Sequence, residues 1–316
     1  MTASLPTDRP HKRRKTDKRG GIMSEENRQT VGVVGLGSMG LGMAQTLVAR
    51  FATLGFDLSA ERRALAEKSG IVPVTAIREL FEKCDFLVFS LPTAKDVAGV
   101  VNDHVDALEA RQGSKVVIID TSTSEPDVSR ELAKRLSALG HGFLDAPVSG
   151  GPAGAASGKL TMMIGGTAED VALASPAIET MASKALHVGA SGAGNVAKLV
   201  NNMLAAAHMV TTREGLKLAL AAGIDPEAAL RVVNAASGRS MISEVHFPTW
   251  VMSGRFDSGF SMGLMRKDVR LASELAASTG ADLPVAQTVA NLWAGTTEFT
   301  DGDDFTRMGA FKAAGN

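Results

Sequence analysis

The sequence predicts an α/β protein, with an N-terminal doubly wound parallel sheet followed by an all-helical C-terminal domain and a long helix joining the two. Two observations predict this fold class. Strand-like apolar runs alternate with helical segments through the first half of the chain, which is the rhythm of βαβ units. After Val188 the alternation stops, and only helical patterns follow. The predicted division is a disordered basic extension over residues 1–30, a sheet domain over 31–190 and a helical domain over 191–316.

The predicted strands are short apolar runs, each followed by a helical pattern. Their predicted ranges are 31–37, 52–58, 71–74, 85–91, 115–120, 142–148 and 160–165.

The helical half begins with one long predicted helix, from about Gly194 to Ala222, which ends at Gly223. Two further helices are predicted to start at Pro226 and Pro284, since proline suits the first position of a helix. The predicted helix from about Gly194 to Ala222 is long for a globular protein. We expect it to connect the two domains, with its early turns facing the cleft between them.

A glycine motif of the form G-x-G-x-x-G lies where the first predicted strand meets the first helix. In a Rossmann unit the first glycine makes the turn, the second admits phosphates close to the backbone, and the third lets helix pack on strand. The N-terminus of the helix then faces the pyrophosphate. The apolar run Val31–Val34 before the motif supplies the required context. We therefore predict that the cofactor NAD is bound by Gly35, Leu36, Gly37, Ser38, Met39 and Gly40.

Asp57 ends the second predicted strand. A carboxylate at this position of a Rossmann unit can accept both ribose hydroxyls of NAD, and it would repel the 2′-phosphate of NADP. The residue predicts NAD as the cofactor, with NADP less favoured. Arg62 and Arg63 follow within one helical turn and could reach a phosphate, but the simpler interpretation is that they are exposed residues of the next helix.

The first 22 residues differ from the remainder, because they carry seven Lys and Arg residues against two Asp. This stretch lacks an apolar face, so we predict that it is disordered. The segment HKRRK could act as a localisation signal or as a nucleic-acid arm. The favoured interpretation is a solvated extension, with Met23 as an alternative start.

Composition sets further expectations. With 45% apolar and 21% charged residues, the chain suits one or two domains with a substantial core. The net charge of −1 implies neither nucleic acid nor a membrane surface as a partner of the folded body. No apolar run is long enough to span a bilayer, and no signal-peptide pattern is evident. The only cysteine, Cys84, allows no internal disulfide, which favours a cytoplasmic location and a buried thiol. No Cys and His spacing predicts a metal site.

The start of the long helix, GAGNVAKLVNN over 192–202, concentrates chemically useful side chains. Lys198 and Asn202 are four residues apart and therefore share a helix face, with Asn201 adjacent. A lysine among apolar neighbours is partly desolvated, which lowers its pKa toward neutrality and suits it to proton exchange. Asn202 could orient that ammonium or a substrate oxygen. Taken alone, Lys198 would be interpreted first as a surface lysine whose stem covers apolar surface, and only its context favours a catalytic role.

Five motifs in order resemble those of the β-hydroxyacid dehydrogenase family, over residues 31–310. These motifs are GLGSMG (35–40), DTSTSEP (120–126), DAPVSGGPAGAASGKLTMMIGG (145–166), GAGNVAKLVNN (192–202) and LMRKDVRLA (264–272). The resemblance implies an oxidoreductase that transfers a hydride between the nicotinamide of NAD and a short-chain hydroxy carboxylic acid of the 3-hydroxyisobutyrate type. It also implies a homodimer or homotetramer, with substrate binding and dimerisation in the helical domain.

The resemblance also implies roles for single residues. Lys198 would be the general acid and base, supported by Asp268. The substrate would be held by Ser122, Gly150, Gly151 and Asn202. Further cofactor contacts would come from Leu91, Pro92, Thr123 and Lys267. Taken alone, the glycine pair would be an ordinary turn, Ser122 a helix cap, and the Lys267–Asp268 pair a solvated ion pair.

Relatives of this family define the alternatives. The 6-phosphogluconate dehydrogenases carry a histidine where this chain has Asn201, and imine reductases replace the lysine, so neither activity is expected. A non-catalytic, chromatin-associated relative with a basic arm would have lost Lys198. A reductase of a small semialdehyde, or a dehydrogenase of the L-threonate or tartronate-semialdehyde type, stays open.

The segment 236–268 bears on the substrate and most resembles that of 3-hydroxyisobutyrate dehydrogenases. Arg239 could pair with a second carboxylate or a polar tail. Trp250 and Phe260 could wall an apolar substituent, or they could be packing residues only.

Overall fold

A computed structural model of the protein describes residues 29–111 and 113–311. Residues 1–28 of the predicted disordered extension lie outside the described residues. The first strand already includes Thr30, which the prediction assigns to that extension.

The described residues of the first half form a nine-stranded sheet with the order β3-β2-β1-β4-β5-β6-β8-β7, and β9 pairs with β8 outside that path. The strands are β1 (Thr30–Val34), β2 (Ala52–Phe56), β3 (Val72–Pro73), β4 (Phe86–Phe89), β5 (Val117–Asp120), β6 (Gly142–Asp145), β7 (Val148–Ser149), β8 (Leu160–Gly165) and β9 (Ala182–Gly189).

Strands β3 to β6 pair in parallel throughout. Because β1 lies between β2 and β4, the chain winds in opposite directions on its two sides. Doubly wound sheets bind ligands at this switch point, at the carboxyl ends of the strands. The predicted Rossmann fold class is therefore confirmed.

The far side of the sheet departs from the prediction of a fully parallel sheet. The predicted strand 142–148 is two strands, β6 and β7, and both pair with β8 in the antiparallel sense. Strand β9 was not predicted, because residues 183–188 are exposed and their sequence lacks an apolar run. Pairing with β8, a long-range contact, decides the structure of that segment.

Within the described part of the chain, seven helices cover the sheet: α1 (Ser38–Leu47), α2 (Ala60–Glu67), α3 (Arg78–Lys83), α4 (Ala94–Glu109), α5 (Pro126–Ala138), α6 (Gly151–Ala156) and α7 (Ala168–Met181). Alternate residues of the central strands β1, β4 and β5 enter one of two cores. Val31 and Val33 pack with α1 and α7 on one face. Val34 packs with α3, α4 and α5 on the other.

The second half is built of helices around a separate core that includes Trp293 and Phe247. Its elements are α8 (Ala193–Ala221), α9 (Pro226–Ala235), a π-helical segment (Ile242–Val251), α10 (Met262–Thr279), α11 (Pro284–Gly295) and a 3-10 helix (Phe305–Gly309). The predicted long helix and the predicted starts of α9 and α11 are confirmed. Among the described residues of this half, one isolated antiparallel β-bridge is present, between Ser261 and Asp304.

Candidate active site

The glycine turn after β1 has the geometry that a bound pyrophosphate needs. Gly35 has φ of 88°, a left-handed conformation that favours glycine. A Cβ on Gly40 would lie 1.8 Å from the carbonyl oxygen of Gly35, so this position tolerates no side chain. A Cβ on Gly37 would meet no heavy atom within 4 Å. No side chain caps α1, so its first backbone amides are free to face an anion.

Asp57 lies beside this turn and is held by backbone amides. Its Oδ2 accepts the amide of Leu36 at 2.7 Å, and its Oδ1 accepts the amide of Ser59 at 2.8 Å. Arg63 donates to the carbonyl oxygens of Asp57 and Leu58 at 2.5 and 3.2 Å. Of the two arginines that could have met a phosphate, Arg63 is therefore committed to backbone carbonyls, while Arg62 is exposed.

The loops that follow β4 and β5 meet at the carboxyl edge of the sheet. Ser122 Oγ accepts the amide of Leu91 at 3.0 Å, which joins the two loops. Lys267 reaches across from α10 and donates to the carbonyl oxygen of Thr123 at 2.8 Å and to that of Pro92 at 3.4 Å. The structure thus gathers five predicted site residues from three distant parts of the chain.

Gly150 and Gly151 form the entry to α6, with φ of 131° and 63°. A Cβ on Gly151 would lie 3.8 Å from the carbonyl oxygen of Ser258, and one on Gly259 would lie 3.1 Å from the ring of Pro152. The loop before α10 therefore lies against the predicted substrate loop. Side chains are absent at both glycines, which leaves their amides open to a carboxylate.

Lys198 lies on the second turn of α8 and is 7% exposed. Burial lowers the pKa of its amine to about 8, Asp268 opposes this shift and Lys267 adds to it. Asn202, one turn later, donates to Asp268 Oδ2 at 2.5 Å. Asn201 donates to Asn202 Oδ1 at 3.0 Å. Asn202 is therefore tied to the carboxylate on α10, and no bond between Asn202 and the lysine is present.

Asp268 is the buried anion of this cluster. Burial raises the pKa of its carboxyl group, while Lys267 and Lys198 lower it. Its Oδ1 lies 3.5 Å from Lys267 Nζ. The charges of Lys267 and Lys198 thus compensate the burial of this carboxylate.

Three buried polar residues at the same edge were not predicted as functional: Asp120, Asp145 and Asn195. Burial raises the pKa of Asp120 to about 7, and its Oδ1 accepts the amide of Ser122 at 3.0 Å. Asp120 and Asp145 are register partners at the ends of β5 and β6. Both open motifs of the sequence, so two carboxylates after neighbouring parallel strands were the signal that could have found them.

Two aromatic residues of segment 236–268 take part in packing. The Trp250 ring lies tilted against His246 with ring centroids 5.0 Å apart, and Phe260 meets Phe305 edge to face at 5.4 Å. Arg239 is exposed. These contacts support the packing interpretation of the two aromatic residues.

Three further features of the described residues concern the cysteine, metal binding and membrane-spanning helices. Cys84 is buried, and burial raises the pKa of its thiol to about 12, as expected for an inert cysteine. Over residues 29–111 and 113–311, three or more potential metal ligands do not come together. In the same ranges no helix is long and apolar enough to cross a membrane.

Comparison with known families matches both halves of the chain. The family model for the NAD binding domain of 6-phosphogluconate dehydrogenase matches residues 30–189. The family model for the NAD-binding domain of NADP-dependent 3-hydroxyisobutyrate dehydrogenase matches residues 192–311.

Relatives of known activity match most of the chain. Mitochondrial 3-hydroxyisobutyrate dehydrogenase of Mus musculus is 36% identical over 264 residues, covering 81% of this chain and 78% of the mouse protein. The L-threonate dehydrogenase of Cupriavidus necator is 34% identical over 260 residues, covering 82% and 87%. The solved structure of 3-hydroxyisobutyrate dehydrogenase from Mycobacterium tuberculosis with L-serine superimposes with a TM-score of 0.82 at 32% identity, covering 89% of this chain and 98% of that one.

Proposed function

Because this chain belongs to the β-hydroxyacid dehydrogenase family and is an NAD-dependent oxidoreductase of hydroxy acids, we propose that Lys198 is its general acid and base. We propose further that the substrate is a short-chain 3-hydroxy acid of the 3-hydroxyisobutyrate type. The burial of the Lys198 amine near Asp268, with a pKa of about 8, is the observation that supports its role as general acid and base.

The expected pH dependence of the reaction follows from the pKa of the Lys198 amine. In oxidation, neutral Lys198 accepts the proton of the substrate hydroxyl, so the rate rises with pH through about 8. In reduction the ammonium donates to the forming alkoxide, so the rate falls as pH rises through the same range. Asp268, which opposes the fall in the lysine pKa, keeps the ammonium accessible near neutral pH.

The substrate carboxylate would bind where amides and hydroxyls converge. Ser122 lies at the carboxyl edge of the sheet, and the amides of Gly150 and Gly151 are unhindered. Asn202 would hold the substrate hydroxyl, with its orientation fixed by Asp268. The similarity to 3-hydroxyisobutyrate dehydrogenases supports a 3-hydroxy acid as the molecule that these groups would hold.

The residues around the glycine turn fit the cofactor. The open space at Gly37 and the uncapped N-terminus of α1 suit the pyrophosphate, and Asp57 suits the adenosine ribose. Leu91, Pro92, Thr123 and Lys267 would line the nicotinamide side. When bound, NAD supplies the carbon that accepts or returns the hydride. The same residues would serve a semialdehyde reductase or an L-threonate-type dehydrogenase, which stay alternatives. The lysine is present and buried, so nothing favours the non-catalytic chromatin-associated alternative.

A substrate screen tests this proposal. Purified protein should reduce NAD in the presence of 3-hydroxyisobutyrate, as measured by NADH absorbance, with a kcat/KM of at least about 10⁴ M⁻¹s⁻¹. L-threonate and tartronate semialdehyde, the latter with NADH, are the matched comparisons. Higher kcat/KM with either would move the assignment to that relative's substrate. Absence of turnover with every acid, in both directions and with both cofactors, would contradict the proposal.

Cofactor choice gives a second test. Asp57→Ala should weaken NAD binding and narrow the gap between NAD and NADP, because it removes both the ribose acceptor and the charge that repels a phosphate. Asp57→Asn is the matched control, since it keeps an oxygen for the Leu36 amide but loses the charge. Both variants should gain relative activity with NADP, as measured by the ratio of kcat/KM values. A wild-type preference for NADP would show that the Asp57 argument is wrong.

Assembly and location complete the proposal. Apolar side chains on the helical half are exposed, with Leu218 72%, Val232 67% and Ile224 52% accessible, which supports a homodimer or homotetramer. A single cysteine, which allows no internal disulfide, is consistent with the proposed cytoplasmic location. A small hydroxy acid is the expected partner, and nucleic acid is not.

A further inference from the structure

Asn195 lies at the start of α8 and is fully buried, and its backbone amide, side-chain oxygen and side-chain nitrogen all form hydrogen bonds with residues of the sheet domain. Its amide donates to Asp145 Oδ2 at 2.9 Å. Its side-chain Oδ1 accepts the amide of Ser124 at 2.9 Å, and its Nδ2 donates to Ser129 Oγ at 3.0 Å. One side chain therefore connects the long helix to the loop after β5 and to α5.

The backbone around Asn195 is equally constrained. The Gly192 amide donates to Asp145 Oδ1 at 2.7 Å, so one carboxylate binds two amides at the start of the helix. A Cβ on Gly194 would lie 2.2 Å from the carbonyl oxygen of Asp145 and 2.5 Å from that of Met163. The first turn of α8 thus packs directly on β6 and β8, with no space for a side chain at Gly194.

The hydrogen bond between the Ser124 amide and Asn195 lies between Ser122 and Lys198, the proposed substrate-binding and proton-transfer residues. Ser124 follows Ser122 by two residues, and Lys198 follows Asn195 by three, less than one helical turn. A short path therefore runs from the group that would bind the substrate carboxylate, through the Asn195 amide, to the group that would move the proton. A misplacement of about 1 Å between such groups can cost about a hundredfold in rate.

We propose that Asn195 is a positioning residue: its side chain fixes the first turn of α8 to the loop that carries Ser122 and thereby sets the position of Lys198 relative to the substrate. This inference rests on the proposed function of Lys198. Asn195 itself touches no reacting atom. Its role differs from that of Asp268, which acts on the lysine from α10.

The test compares Asn195→Ala with a matched control. His141 is also buried and also joins two segments, by its contacts with the Val116 amide at 3.1 Å and the Leu108 carbonyl at 3.0 Å. It lies at the amino end of β6, away from Ser122. His141→Ala should therefore lower the thermal stability of the protein by an amount similar to Asn195→Ala without affecting the reaction.

The decisive readout is the pH dependence of hydroxy-acid oxidation. The charged groups that act on Lys198 are Asp268 and Lys267 on α10, while Asp145 on β6 and Arg130 on α5 lie at the first-turn end of the helix. Loosening that turn admits water to the ammonium. Asn195→Ala should therefore lower kcat by about tenfold to a hundredfold. It should also move the pH limb, the range over which the oxidation rate rises as Lys198 loses its proton, to higher pH, toward the ordinary pKa of a lysine. His141→Ala should keep the wild-type kcat and limb.

Two results would overturn the inference: an Asn195→Ala enzyme with wild-type kcat and limb, or a His141→Ala enzyme with the same shift. If Asn195→Ala does not fold, Ser129→Ala removes only the partner of Asn195 Nδ2 and should show a smaller shift in the same direction. An unshifted limb in that variant would equally overturn it. Lys198→Ala separates the two claims, because a limb that persists without Lys198 would contradict the proposed function itself.

Discussion

Lys198→Ala should lower kcat for hydroxy-acid oxidation by about a hundredfold to ten thousandfold, because it removes the group that exchanges the hydroxyl proton. NAD binding should persist, since all but one of the residues proposed to hold the nucleotide lie on the sheet domain and the remaining one, Lys267 on α10, is unchanged. Steady-state kinetics and a fluorescence titration with NADH measure the two effects separately.

Lys217→Ala is the matched control for that experiment. It removes an exposed lysine from the same helix, so kcat should stay near the wild-type value. A Lys198→Ala enzyme that keeps nearly full turnover would contradict the assignment of the general acid and base. A variant that loses NADH binding as well would instead indicate a structural role for the lysine.

Two alanine substitutions in the glycine turn should affect different properties: Gly40→Ala the stability of the protein, and Gly37→Ala the binding of NAD. In Gly40→Ala the new methyl group would meet the Gly35 carbonyl at 1.8 Å, so we expect a loss of about 3 kcal/mol or more in the free energy of unfolding. In Gly37→Ala the methyl group meets open space, so stability should stay close to that of the wild type.

Binding should separate these two variants further. Gly37→Ala places a methyl group where the phosphates approach, and should weaken NAD binding by about tenfold, or about 1.4 kcal/mol. Thermal unfolding with and without NAD measures both quantities in one experiment. A Gly37→Ala protein that is destabilised but binds NAD normally would contradict the assignment of this turn to the cofactor.

Local sequence patterns were sufficient for most of the fold. Strands such as β1 and β4 are continuous apolar runs, and α9 and α11 begin at prolines, so periodicity and capping predicted them. The antiparallel pairing of β8 and the exposed strand β9 could not be predicted in this way. Both depend on contacts between residues far apart in sequence, which leave no local period.

The candidate site divides similarly. The spacing of Lys198 and Asn202 placed them on one helix face, and the resemblance to a family supplied Lys267 and Asp268; their catalytic roles stay predictions. The bond from Asn202 to Asp268 and the contacts of Asn195 were not predicted. The Asn202–Asp268 and Ser124–Asn195 bonds join residues 66 and 71 positions apart in sequence, so helical spacing within α8 carries no sign of them.

Replacement of the lysine amine by chemistry tests the central claim most directly. Lys198→Cys should be inactive, and alkylation with 2-bromoethylamine would rebuild an amine at nearly the same position. Cys84, the only native cysteine, should not react, because it is buried and its thiol pKa is raised to about 12. Mass spectrometry would verify that a single aminoethyl group has been added.

The measurement is the rate of hydroxy-acid oxidation against pH, before and after alkylation. The account predicts that alkylation restores turnover, and that the pH limb returns at a lower pH than the wild-type limb, because the sulfur atom makes the new amine less basic. Activity in Lys198→Cys before alkylation, or no gain in a verified aminoethyl enzyme that still binds NADH, would contradict Lys198 as the group that moves the proton.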